Sequence, residues 1–89
     1  MAYHKQPSLR RVMGERLRQL RVRAGFTSQE ALGNRAGVHR TYVGRLERGE
    51  TGVTVDMLAV ILAAMQINLA EFFRPFTAVV SPRTPRRRD

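Results

Sequence analysis

The stretch RAGVHRTYVGRLERG, residues 35–49, gathers the side chains best suited to recognising another molecule. Arg40, Arg45 and Arg48 supply guanidinium groups, and Thr41 supplies a hydroxyl and a methyl group. A guanidinium group can donate paired hydrogen bonds to guanine, and a threonine methyl group can contact that of thymine. These residues therefore either read the edges of DNA bases or form an ordinary solvated helix face.

Helical geometry favours the first interpretation. At about 100° per residue, five residues of a helix over 39–48 fall within an arc of about 140°. Three of them are arginines, and no acidic residue lies inside that arc. Tyr42, Val43 and Leu46 lie on the opposite side, which faces the core. The residues of the arc are Arg40, Thr41, Gly44, Arg45 and Arg48. A solvated face explains so many arginines poorly, and we expect this helix to enter a DNA groove.

The charge of the chain indicates the same kind of partner. The chain has 89 residues, enough for one domain, and a formal net charge of +9. Residues 1–74 carry +6 of that charge and residues 75–89 carry +3, so the folded part is itself basic. A small domain with this charge favours a polyanion such as double-stranded DNA.

Other function classes find no support in the sequence. The chain has no Cys, which excludes disulfides and Cys-ligated zinc, and its two His and scattered Glu residues form no catalytic or metal-binding pattern. We therefore expect no enzyme activity, metal or cofactor. No apolar run reaches the roughly 18 residues of a membrane span, and the first residues lack a signal-peptide core. These features predict a cytoplasmic protein with no membrane partner.

The spacing of apolar residues predicts an all-α fold of five helices. The helices are expected over residues 8–24, 28–35, 39–48, from the N-cap Thr54 to about 65, and around Leu69, Phe72 and Phe73. Thr27 and Glu30 form a capping box that predicts the start of helix 2. Pro75 is expected to end helix 5. The chain thus divides into an arm (1–7), a domain (8–74) and a flexible basic tail (75–89), which begins with strand-like residues.

Residues 29–48 match the pattern of a helix-turn-helix. Gly33 stands where two short helices must cross closely, and Gly37 stands in the turn, where glycine tolerates a positive φ. Apolar residues occupy the positions that pack both helices onto the domain: Leu32, Ala36, Val38, Val43 and Leu46. In this arrangement the second helix enters the major groove, so residues 39–48 are the predicted recognition helix.

The stretch SQEALGNRAGVHRTYVGRLERG resembles the XRE-type, phage-repressor-like family of helix-turn-helix regulators. RTYV followed by LERG is especially similar to restriction-modification controller proteins. The resemblance covers roughly residues 10–74. It implies a five-helix, lambda-repressor-like bundle that binds a near-palindromic operator as a symmetric dimer.

The resemblance also implies roles for single residues on the recognition helix. Arg40, Thr41 and Arg45 match base-reading positions. Gly44 occupies a further position of the reading face, where relatives often carry Ser or Asn, so one base contact of those relatives is lost.

Five residues are assigned to the phosphate backbone. The resemblance implies this role for Gln29 and for Tyr42, whose ring could equally lie half-buried between helices. His39 replaces a better N-cap and either contacts phosphate or has no special role. Arg48 ends the recognition helix, and Thr51 lies in the loop that follows. Both are expected to lie close to the phosphate backbone of the DNA.

Two structural features also follow from the resemblance. Glu47 and Arg21 match an ion pair that belongs to the scaffold. The stretch between Gly25 and Gln29 is one residue longer than the family pattern, and the Thr27 capping box suggests that helix 2 begins one residue early.

The end of the domain is expected to mediate assembly. Phe72, Phe73 and Phe76 leave apolar surface there, which predicts a dimer interface. The arginines of the tail either add non-specific affinity for DNA or are merely solubilising. The sequence therefore predicts a sequence-specific transcriptional regulator. The alternative is an antitoxin or similar module that regulates its own promoter and binds a protein partner through the tail.

Overall fold

The computed structural model describes residues 8–76, which form five α-helices and one turn of 3-10 helix. The elements are α1 (Leu9–Arg23), α2 (Gln29–Ala36), α3 (Arg40–Glu47), α4 (Val55–Ala64), α5 (Leu69–Phe73) and the 3-10 turn (Arg74–Phe76). The predicted all-α fold of five helices is confirmed. The predicted arm and the tail from residue 77 onward, with most of its strand-like stretch, lie outside the described residues.

A side chain caps the first turn of each α-helix. Ser8, Thr54 and Asn68 accept a hydrogen bond from the backbone N–H three residues further on. Such caps satisfy N–H groups that have no partner within the helix and typically stabilise it by about 1 kcal/mol. The polar residue before each apolar run therefore fixes where the helix begins.

The predicted start of α2 is wrong by one residue. Ser28, not Thr27, is the N-cap, and its hydroxyl accepts the N–H of Ala31 at 2.9 Å. The extra residue is accommodated in the turn before the helix, where the Arg21 guanidinium donates to the Phe26 carbonyl at 2.8 Å. Because serine caps a helix as well as threonine does, the sequence alone could not distinguish the two positions.

The core draws on all five helices. Its buried apolar residues are Leu17, Leu20, Leu32, Val43, Leu46, Leu58, Ile61, Leu62, Met65, Phe72 and Phe76.

The assignment of Phe72 and Phe76 to a dimer interface is wrong, since both rings are buried within the chain. Phe73 is the one member of that trio that stays exposed, at 37%. Pro75 ends α5 but lies in the 3-10 turn, so the packed domain continues to Phe76.

Glycines allow two close helix crossings. A Cβ on Gly33 would lie 2.6 Å from the Val38 carbonyl oxygen, which confirms the predicted contact between α2 and the start of α3. Gly37 ends α2 with φ at +80°, as the turn requires.

The second close crossing, between α1 and α3, was not predicted. A Cβ on Gly14 would collide with the Leu46 carbonyl oxygen and lie 2.7 Å from that of Glu47, so α1 rests directly on the backbone of α3.

Arg16 connects α1 to the end of the bundle. Its Nε donates to the Phe72 carbonyl at 3.0 Å and its Nη2 donates to the Glu71 carbonyl at 2.8 Å. Partial burial of the guanidinium lowers the pKa of Arg16. These bonds reach two carbonyls at the C-terminal end of α5, where the Glu71 carbonyl also accepts the Arg74 N–H, and they hold that short helix against α1.

Within residues 8–76, no single helix is long and apolar enough to cross a membrane. The α4 segment and the segment Leu69–Phe76 together reach the required length and composition, but the chain bends by 102° between them.

Candidate nucleic-acid interface

The outer face of α3 presents most of the residues that the sequence predicted for it. Arg40, Thr41, Arg45 and Arg48 are exposed. Val43 on the opposite side is fully buried, and Glu47, the only acidic residue of α3, is buried as well. The exposed face therefore combines positive charge with hydrogen-bond donors and carries no carboxylate of its own helix.

Gly44 departs from this prediction because it is buried. A Cβ at this position would lie 2.8 Å from Gln29 Oε1 and 3.1 Å from Arg48 Nη1. The side chains of Gln29 and Arg48 thus close over the space that Gly44 leaves. The expectation that Gly44 shares the exposed arc is wrong, because helical angles do not account for neighbours that cover a residue without a side chain.

A buried ion pair supports the face from below. Arg21 Nε lies 2.6 Å from Glu47 Oε2, and Arg21 Nη2 donates to Glu47 Oε1 at 3.3 Å. The side chains of Arg21 and Glu47 are only 9% and 1% exposed. The predicted pair is therefore confirmed, and its two-pronged geometry holds α1 to the end of α3.

Gln29 joins the same network. Its Nε2 donates to Glu47 Oε1 at 3.0 Å, which connects the first residue of α2 to the last residue of α3. This bond was not predicted, because the resemblance implied only a phosphate contact for Gln29. That phosphate role stays a prediction. The observed bond to Glu47 holds the half-buried Gln29 amide in the position from which it would contact a DNA phosphate.

His39 caps α3. Its Nδ1 accepts the Thr41 N–H at 3.0 Å, so histidine supplies a capping acceptor at this position. An accepting Nδ1 leaves the proton of a neutral imidazole on Nε2, which points a donor away from the helix.

Tyr42 packs half-buried against the core, in agreement with the alternative that its ring lies between helices.

Two arginines of the face have carboxylate partners in solvent. Arg48 Nε lies 2.8 Å from Glu50 Oε2, and Arg40 Nη1 lies 3.7 Å from Glu30 Oε1. Hydrogen bonding to Arg48 lowers the pKa of the Glu50 carboxyl, which stays charged. Exposed pairs of this kind contribute little stability. Both guanidinium groups can therefore exchange a carboxylate for a phosphate or a base at small cost.

The first turn of α1 extends the basic surface beside the loop that follows α3. A Cβ on Gly49 would lie 2.7 Å from Arg11 Cγ, and one on Gly52 would lie 3.3 Å from Arg10 Nε. The two glycines thus allow both arginines to lie directly against the loop, which also contains the half-buried Thr51. The sequence identified the arginines of helix 1 as basic but did not indicate which ones adjoin this loop.

Among residues 8–76, no three His, Asp or Glu side chains are placed to hold a metal ion. The family of the chain follows from comparison with known proteins. Residues 12–72 match the model of the helix-turn-helix domain family. The chain belongs to the helix-turn-helix family.

Curated relatives place this helix-turn-helix protein among small regulators. It is 33% identical over 61 residues to control protein C.BamHI of Bacillus amyloliquefaciens, across 68% of this chain and 75% of that protein. Control protein C.SmaI of Serratia marcescens is also 33% identical over 61 residues, with 68% and 71% covered.

A solved structure agrees with these relatives. The clp gene regulator ClgR of C. glutamicum superimposes with a TM-score of 0.73 at 29% identity, over 78% of this chain and 87% of that one. The helix-turn-helix protein is therefore a DNA-binding regulator of the XRE type.

Proposed function

We propose that the protein is a sequence-specific transcriptional regulator that binds a near-palindromic operator as a dimer, with α3 in the major groove. The observation that carries this proposal is the outer face of α3, where arginines surround Thr41 and the only carboxylate of the helix is buried. Arg40 and Arg45 read bases as paired donors, and Thr41 contacts a base edge or a thymine methyl group.

The residues around this face bind phosphate in the proposed complex. Gln29 and His39 begin the two helices of the motif, and Arg48 and Thr51 follow its end. Arg10 and Arg11 lie against the same loop as Thr51 and would extend the contacts along the DNA phosphate backbone. Tyr42 is half-buried, so it would contact phosphate through its hydroxyl. These contacts fix the register of α3 without reading sequence.

Selection from a random duplex library at near-physiological salt, combined with light scattering, tests the proposal. We expect an enriched palindrome whose half-sites lie about one helical turn apart, and the mass of a dimer. Binding without enrichment would mean that the net charge acts alone. The search would then turn to a protein partner of the basic tail.

Replacing Arg40 with alanine should weaken binding to the selected operator by about 1–3 kcal/mol, which is roughly 5- to 150-fold, and relax the base preference at one position. Titrations of the operator and of a scrambled duplex measure both effects. The matched control is Arg18→Ala, which removes an exposed arginine of α1 that pairs with Glu15. Equal losses on the operator and the scrambled duplex would show that Arg40 contacts only phosphate.

The outer side of α4 supports the dimer. Residues 57–70 contain no charged side chain, although 26% of the chain is charged. Val60 is 47% exposed and Ala63 is exposed as well, both away from the core side of α4. Asp56, one turn before Val60, is the charged residue on this side of α4, and it is acidic. Because each copy carries +9, a face of α4 without basic side chains allows two copies to approach with little repulsion. We assign the interface to this face and to Phe73.

Val60→Lys should convert the dimer to a monomer, because the change places like charges in the contact while leaving the core intact. Light scattering reports the mass, and circular dichroism checks that the fold is retained. Val22→Lys is the matched control, since Val22 is a comparably exposed valine on α1. A Val60→Lys protein that stays dimeric would place the interface elsewhere.

A further inference from the structure

The Arg48 guanidinium has two hydrogen-bonding edges, and the protein itself uses only one of them among the described residues. The side edge binds the Glu50 carboxylate: Nε donates to Oε2 at 2.8 Å and Nη2 donates to Oε1 at 3.2 Å. The end edge is formed by Nη1 and the second hydrogen of Nη2. Nη1 lies 3.1 Å from where a Cβ on Gly44 would stand. The end edge therefore lies over the middle of the recognition helix, one turn before Arg48 itself.

Gly44 allows this placement of the guanidinium. A side chain at position 44 would take the space beside Nη1 and push the guanidinium outward. Residues 40, 44 and 48 follow one another at intervals of about one turn, so they lie along one side of α3. The side chains of Arg40 and Arg48 are both more than half exposed. Donors from both ends of this row can therefore face the same groove.

The chain that follows α3 holds Glu50 beside Arg48. The Glu50 N–H donates to the Arg45 carbonyl at 2.9 Å, and Gly49, with φ at +74°, makes the turn that this bond requires. Hydrogen bonding to Arg48, together with the charges of Arg48 and Arg45, lowers the pKa of the Glu50 carboxyl. The partner of Arg48 is therefore a carboxylate whose backbone is anchored to the end of the recognition helix.

A guanidinium held in this way suits the edge of a base. Its end edge donates two parallel hydrogen bonds, which match O6 and N7 of guanine in the major groove. The carboxylate partly cancels the charge that attracts Arg48 to phosphate, so the direction of its donors gains weight over its charge. The pair also restricts the long side chain before DNA arrives, which reduces the entropy lost on binding.

We propose that Arg48 reads a guanine through its end edge, beyond any contact with phosphate, and that Glu50 positions Arg48 for this role. The base contact leaves the pair with Glu50 intact, because the two partners use opposite edges of the guanidinium. This inference rests on the proposed function, since it requires α3 to lie in the major groove.

Selection from the random duplex library, repeated with Arg48→Lys, tests the base contact. Lysine keeps the positive charge that attracts phosphate but has no paired edge. The variant should therefore bind a scrambled duplex about as well as the wild type does. Its preference for one guanine in each half-site should fall by about 5- to 150-fold.

Glu50→Gln tests the positioning role. The variant should lower the preference for the same guanine without weakening binding to a scrambled duplex, because it removes a negative charge. In an Arg48→Lys background, Glu50→Gln should have no further effect on base preference. The matched control is Glu15→Gln, which removes the same charge from a similar exposed pair on α1. There Arg18 Nε donates to Glu15 Oε1 at 3.4 Å and Nη2 to Oε2 at 3.0 Å.

Three results would contradict these expectations, and each has a separate meaning. An Arg48→Lys protein that selects the wild-type operator with equal preference at every position would overturn the base contact. A Glu50→Gln protein whose preferences match those of Glu15→Gln would overturn the positioning role. A wild-type protein that enriches no sequence would overturn the proposed function itself, and the inference with it.

Discussion

Gly14→Ala should destabilise the protein by about 3 kcal/mol and lower Tm by roughly 10–20 °C. The added methyl group would meet the carbonyl oxygens of Leu46 and Glu47 at the end of α3. These are backbone atoms, so no side-chain rotation relieves the collision, and α1 must move away from α3. The intrinsic preference of a helix for alanine, about 1 kcal/mol, opposes this loss but does not offset it.

Chemical denaturation of Gly14→Ala and Gly52→Ala measures the effect with its control. A Cβ on Gly52 would meet only the flexible guanidinium of Arg10, at 3.3 Å. That substitution should leave stability nearly unchanged. If both variants unfolded at the same denaturant concentration, the close crossing of α1 and α3 would not be a constraint on the fold.

Glu47→Gln should cost about 3 kcal/mol, because it leaves the buried Arg21 guanidinium without a counter-charge. The amide keeps the shape of the carboxylate, which separates the loss of charge from the loss of packing. The matched control is Glu50→Gln, which neutralises the exposed partner of Arg48 and should have no measurable effect on unfolding. Equal stabilities of the two variants would mean that the buried pair contributes no more than the exposed one.

A double variant identifies the cause of the loss. Arg21→Met combined with Glu47→Leu removes both charges and should be more stable than Glu47→Gln, because no unpaired charge stays buried. Recovery should be incomplete, since Arg21 also donates to the Phe26 carbonyl and Glu47 accepts from Gln29. A double variant less stable than Glu47→Gln would attribute the effect to packing instead.

The parts of the fold that depend on local sequence were predictable. Periodic apolar residues determined the number and order of the helices, and Gly33 and Gly37 marked the crossing and the turn of the motif. Arg40, Thr41 and Arg45 were correctly expected to be exposed on α3. Each of these inferences needs only residues that lie close together in the chain.

The features that were missed depend on residues distant in sequence. Nothing local to Gly14 indicates that it faces the carbonyl oxygens of α3. The apolar character of Phe72 and Phe76 is the same whether the rings meet a second copy or their own core, and only the packed structure shows the latter. The burial of Gly44 likewise depends on Gln29, which comes from the preceding helix.

The cover of Gln29 over Gly44 has a consequence for how such a regulator can change its target. Any side chain at position 44 would meet Gln29 Oε1 at about the Cβ position, 2.8 Å away, and Gln29 in turn is tied to Glu47. A serine or asparagine at position 44 would displace the flexible end of the Gln29 side chain and disturb its hydrogen bond to Glu47 Oε1. A change of residue on the outer face of α3 is therefore coupled to the contact between the first residue of α2 and the last residue of α3. A designer of new specificities would vary positions 29 and 44 together.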